Sequence, residues 1–156
     1  MNLSKFTDYA FRCCLYLATR PGTLVSIGEI ARAYDIPLSS VMKVVNQLVD
    51  GGILASTRGR AGGVELARPA ADITIGEIAR LMENDGPIVD CTSCLIEDRC
   101  GVFPVLDVAK AAFYTSLDQI SLERALRSQA DCAPTLLERA SMVGQRAPVT
   151  APSATL

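Results

Sequence analysis

Two amphipathic stretches joined by a tight turn, then two short apolar arms around a Gly/Arg-rich tip, predict a mainly α chain built on a winged helix-turn-helix with a β-hairpin wing. A further apolar-patterned stretch near residue 110 adds a long C-terminal helix outside that motif. The chain has 156 residues, 49% of them apolar, enough for one real core. Only 5% are aromatic, so that core must be built from Leu, Ile, Val and Ala.

The elements follow in order. Leu3, Phe6, Tyr9, Ala10, Cys13, Leu17 and Ala18 recur at helical spacing and predict a helix over 3–19, stopped by Pro21-Gly22. Ser26 and Glu29 form a capping box that opens a short helix through Ala33. Tyr34 to Pro37 is a turn, and a second helix runs from Leu38 to Asp50, closed by Gly51-Gly52. Ile53 to Ala67 reads as a hairpin with a flexible cationic tip. Thr74 and Glu77 make another capping box, with a helix to Glu83. A loop over 84–101 precedes a long helix, Pro104 to Gln119, and a short one, Ser121 to Arg127. Beyond Ser128 the chain turns to Ala, Pro, Ser and Thr and reads as a disordered tail.

No apolar run approaches the roughly 18–20 residues needed to cross a bilayer. The chain opens directly in an amphipathic pattern, so no signal peptide is expected and the cytoplasm is the expected compartment. The net charge of −2 hides an asymmetry. Residues 1–70 carry eight basic and five acidic groups, and the remainder seven and twelve. A basic N-terminal half permits nucleic-acid binding, which depends on the local patch.

On the second helix of the pair, Val41, Val44, Val45 and Leu48 share one face. The other offers Ser39, Ser40, Lys43, Asn46 and Gln47. Ser and Lys suit phosphate oxygens, and Asn and Gln suit base edges. Any surface helix has a polar face, so the wing decides the reading. Arg58 and Arg60 flank a glycine, with Gly62 and Gly63 beyond, joining phosphate-seeking side chains to a backbone open to close approach.

Cys91, Cys94 and Cys100 lie within ten residues, in a chain without histidine. Six cysteines in a reducing compartment point to metal or redox chemistry rather than a disulfide framework. Thiolates at these spacings resemble an iron–sulfur loop more than a zinc ribbon, which uses two Cys-x-x-Cys pairs. A fourth ligand is missing locally. Cys13 and Cys14 are expected to pack in the first helix, and Cys132 stands alone in sequence. Asp8 reads as the partner of Arg12 in an i,i+4 ion pair. The lack of histidine and of a nucleotide-binding glycine motif argues against an enzyme.

Together these motifs resemble the iron–sulfur winged-helix transcriptional regulators, the family that contains NsrR, IscR and RirA. The resemblance covers residues 1–127. It rests on the opening segment through Phe6-Thr7-Asp8-Tyr9, on Lys43-Val44-Val45-Asn46-Gln47-Leu48, on Arg58-Gly59-Arg60-Ala61-Gly62-Gly63 with Ala67-Arg68-Pro69-Ala70, and on the cysteine positions. Within the family the pattern is nearest the nitric-oxide-sensing NsrR type. The family histidine of the IscR type, just after the third cysteine, is absent. The two-residue gap between Cys91 and Cys94 is shorter than the NsrR pattern.

The resemblance implies a homodimeric repressor of double-stranded palindromic operator DNA, with the long helix as subunit interface. It implies a 4Fe–4S cluster (2Fe–2S as alternative) held by Cys91, Cys94 and Cys100, with Asp8 of the other subunit as fourth ligand. Operator affinity would then answer to nitric oxide or redox stress. The corresponding division is a DNA-binding domain at 1–83, a cluster loop at 84–101, a dimerisation region at 102–127 and a tail at 128–156. The alternatives are an iron-availability or cluster-biogenesis sensor on the same fold, a cluster-containing electron-transfer protein, and a zinc-stabilised DNA-binding module.

Overall fold

The computed structural model describes residues 2–59, 62–83, 86–96, 99–128 and 132–144. Helix α1 (Lys5–Ala18) begins at Ser4, whose side chain accepts the Thr7 amide. It buries Ala10, Cys13, Cys14 and Leu17 and packs against both α3 (Leu38–Asp50) and α4 (Ile75–Glu83). Between them, α2 (Ile27–Tyr34) is capped by Ser26, which accepts from the Glu29 amide. The Glu29 carboxylate is also used: it pairs with Arg20 and accepts the Tyr16 hydroxyl at 2.9 Å. One acid thus fastens the end of α1 to the start of α2.

The turn into α3 is made by Asp35 in the left-handed region, φ 54°, a conformation that Asp tolerates better than most residues. The Ile36 amide returns to the Ala31 carbonyl at 2.9 Å, and the Ile36 side chain is buried. These close α2 in the manner of a Schellman motif and aim α3 across it. The wing is an antiparallel pair, β1 (Leu54–Thr57) and β2 (Gly63–Leu66), in register Leu54↔Leu66 and Thr57↔Gly63. Val25 adds a bridge to Val64 on its other side. The core is one cluster, mostly Leu, Ile, Val and Ala as the composition predicts, joined by the two α1 cysteines, Met82 and the fully buried Tyr16.

A 3-10 turn (Ala70–Asp72) leads into α4, and α5 (Val102–Asp118) follows the cysteine loop. Helix α6 (Leu122–Arg127) returns to the core: Leu122 is fully buried and its amide bonds the Ile73 carbonyl at 2.8 Å. Arg80 grips Asp118 through two bonds, 2.7 and 2.6 Å, tying α4 to α5.

Two expectations need correcting. The long helix starts at Val102 rather than Pro104. The segment read as tail contains α7 (Cys132–Gly144), which packs on α2 and α6. Leu136 is buried in the core, and Arg139 donates to the Ala33 carbonyl at 2.9 Å in the last turn of α2. The reason is shared. Pro104 and Pro134 both sit in the first turn of their helices, where the missing amide N–H has no intrahelical partner to lose. The expected disorder at 145–156 lies outside the described residues.

The start of α1 is locked to the end of α4. Thr7 is the only fully buried polar side chain among the described residues. Its hydroxyl donates to Glu83, which also accepts the Ser4 amide at 2.6 Å. Burial works against the charged carboxylate, but the bonds from Thr7 and Ser4 together outweigh it and hold Glu83 below its ordinary value of 4.5. Glu83→Ala leaves the Ser4 amide without its acceptor and the Thr7 hydroxyl with Ser4 Oγ alone, at 3.0 Å, and is expected to cost about 1–3 kcal/mol, read as a lower thermal midpoint. The advantage of wild type over this variant is fully present above the ordinary carboxylate range. It fades as pH falls through the lowered value. A gap that widened on acidification would refute the assignment.

Candidate nucleic-acid interface and cysteine loop

The rotation of α3 is fixed by Val41, Val44, Val45 and Leu48, all essentially inaccessible. The opposite face therefore stands in solvent. Ser39, Lys43, Asn46 and Gln47 are exposed there, and Ser40 is half-buried. The same face carries two side chains that a search for polar groups passes over, Leu38 and Met42. Their signal in the sequence is the spacing 38–42–46, which puts them in line with Asn46.

Beside α3 stands the wing. Arg58 is exposed at its tip, and Arg60 lies outside the described residues. A cleft of about 680 Å³ runs between α2, α3 and the wing, lined by Ser26, Asn46, Asp50, Ser56, Thr57 and Arg58 among others. Three hydroxyls, the start of α2 and one guanidinium suit a phosphate strand, whereas Asp50 opposes it. Gly62 and Gly63 serve the wing's shape. A Cβ at Gly62 would fall 2.1 Å from the Thr57 carbonyl oxygen, and one at Gly63 would fall 2.7 Å from that of Val25. Arg58→Ala is expected to weaken binding to all duplexes alike and to reduce the salt-dependence slope by about one. A titration against salt that left the slope unchanged would remove Arg58 from the interface.

The cysteine loop joins α4 to α5. Asp90 accepts both the amide and the hydroxyl of Thr92, at 3.0 and 2.7 Å, and these bonds hold its carboxyl below the usual range. The Cys94 amide then donates to the Cys91 carbonyl at 3.0 Å, so those two residues face each other across one turn. Cys91 and Cys100 are half-buried and Cys94 is exposed. Among the described residues no three acidic, cysteine or histidine groups converge as a metal site. Asp8 is not brought to the loop. It pairs with Arg12 of its own helix, at 2.8 and 3.1 Å, both side chains about half exposed. The donor chemistry of three accessible soft thiols nevertheless fits an iron–sulfur cluster. Cys13 and Cys14 do not compete for it. Both are fully buried, and burial pushes the Cys13 thiol up to about 12 and Cys14 well above its ordinary value.

A helix-turn-helix with an exposed polar second helix and a basic wing defines a DNA-binding regulator. Residues 3–128 match the family described as Rrf2, iron-dependent transcriptional regulator, and the chain belongs to that family. It is 37% identical over 137 residues to the HTH-type transcriptional regulator NsrR of Bacillus subtilis (strain 168), covering 84% of this chain and 94% of that one. It is 35% identical over 135 residues to NsrR of Oceanobacillus iheyensis, covering 83% and 92%. Among solved structures it resembles IscR of T. potens, with TM-score 0.67, 26% identity and coverage of 82% and 88%. The oxidized form of Staphylococcus aureus CymR gives 0.64, 26%, 80% and 95%. The family and both NsrR relatives are described as transcriptional regulators, not enzymes. No helix among the described residues is long and apolar enough to cross a membrane.

Proposed function

We propose that this regulator is a cytoplasmic homodimeric repressor whose affinity for palindromic operator DNA is set by an iron–sulfur cluster. Three thiols on one accessible loop carry the reading, because Cys13 and Cys14 are sealed in the core. Cys91, Cys94 and Cys100 would hold a 4Fe–4S cluster, with the partner subunit's Asp8 as fourth ligand. When bound, such a group supplies iron that reacts directly with nitric oxide. Residues 1–83 contact DNA, 84–101 hold the cluster and 102–127 dimerise.

Two observations support the dimer and its ligand. Helix α5 buries only Tyr114 and leaves Val102, Val105 and Val108 at 61%, 65% and 70% exposure, an apolar face of the kind a second subunit covers. Asp8 gives up little to reach across. An exposed i,i+4 pair such as Asp8–Arg12 is worth about 0.3–0.5 kcal/mol. Two α3 helices of such a dimer fit half-sites about one turn of duplex apart.

Anaerobic titration of the iron-loaded protein with nitric oxide, followed by operator binding, tests the proposal. Affinity should fall as the visible absorbance bleaches. A colourless protein with stoichiometric zinc, or binding indifferent to nitric oxide, would overturn it. The family's description as iron-dependent favours one second reading, iron availability as the signal. In that case chelation and not nitric oxide would move the affinity.

A further inference from the structure

We propose that Leu38 and Met42 form an apolar reading edge on α3 that selects thymine methyl groups in the operator. The inference rests on α3 entering the major groove, as the proposed function requires, and adds what it reads there. Leu38 is 51% exposed and Met42 47%, on a helix whose other apolar residues are sealed or half-sealed in the core. Residues 38, 42 and 46 succeed one another at about 6 Å along the axis on one face. Two large apolar groups and one amide therefore form a stripe, with Ser39, Lys43 and Gln47 beside it.

The chemistry of the groove says what such a stripe meets. Leu and Met have nothing to offer a phosphate. In the major groove the apolar feature of a base pair is the C5-methyl of thymine. Leu38 lies in the first turn, the part of a recognition helix that meets base edges. Met42, one turn on, is long and unbranched, and its thioether adapts to a neighbouring methyl without a fixed angle. Asn46 completes the stripe with the side chain that pairs with adenine N6 and N7. The face is thus suited to A·T and T·A steps.

The test uses the anaerobically purified full chain and a randomised duplex pool. Sequences enriched by the wild type are resynthesised with each thymine replaced singly by deoxyuridine, which removes only the methyl. At one or two positions per half-site the affinity should drop about fourfold, the value of one buried carbon. In Met42→Ser or Leu38→Ser that drop should disappear at the matching position, with the thermal midpoint unchanged. The proposal is overturned if every deoxyuridine is neutral, or if the drops persist in both variants. A pool that enriches no sequence would sink the DNA-reading function with it, an outcome distinct from a selected but methyl-insensitive site.

Discussion

Replacing Cys94 by serine is expected to abolish stable iron loading while leaving the fold intact. Cys94 is exposed, takes no part in the core, and contributes its backbone amide to the turn with Cys91, which serine keeps. What changes is the donor: a soft thiolate becomes a hard hydroxyl, a poor ligand for iron–sulfur iron. Iron and sulfide per chain should fall by more than about tenfold, since even outer-shell changes act on that scale. Operator binding should then ignore nitric oxide. Cys13→Ser is the opposite case. It places a hydroxyl in a fully buried site and should lower stability by about 1–3 kcal/mol while iron loading survives. Visible absorbance with iron analysis, alongside thermal unfolding, reads both variants. If Cys94→Ser kept its full iron, the loop would not be the cluster site.

The helix-turn-helix and wing were legible because their signals are local. Ser26, the Tyr34–Pro37 turn and the valine face of α3 each act within a few residues, and each element stands where the pattern put it. Helix α7 was not legible, because composition weighs Ala, Pro, Ser and Thr against order. What orders it is tertiary: Leu136 in the core and Arg139 on the Ala33 carbonyl, more than a hundred residues away. The interface was half legible. Polar residues on α3 announce themselves, whereas Leu38 and Met42 look like core until the rotation of the helix is known. The glycines of the wing were read as an opening for DNA. Gly62 and Gly63 are also required by the protein's own backbone, a need that the sequence does not announce. The proposed convergence of the thiols, and the proposed reach of Asp8, would depend on a second subunit and a bound group, which no periodicity in one chain encodes.

Gly63→Ala is expected to damage DNA binding more than loss of Arg58, although it removes no contact to DNA. Gly63 begins β2 opposite Thr57 and lies against Val25. Its φ is not in the left-handed region, so the need is for space and not for torsional freedom. A Cβ there would stand 2.7, 2.9 and 3.0 Å from the O, C and N of Val25, all backbone atoms with no rotamer to change. The wing must move away. The movement strains the two bonds that hold it, Val25 amide to Val64 carbonyl at 3.0 Å and the reverse at 2.9 Å. Overpacking of this kind costs about 1–3 kcal/mol. Those bonds also set the distance from α3 to the wing, and hence the width of the cleft that ends in Arg58. Arg58→Ala deletes one charge from a correctly placed wing, whereas Gly63→Ala displaces the tip and Ser56 and Thr57 together. The loss should therefore be larger, uniform across sequences, and accompanied by a lower thermal midpoint. Gly63→Ala with wild-type affinity at wild-type stability would show that this contact does not hold the wing in register with α3.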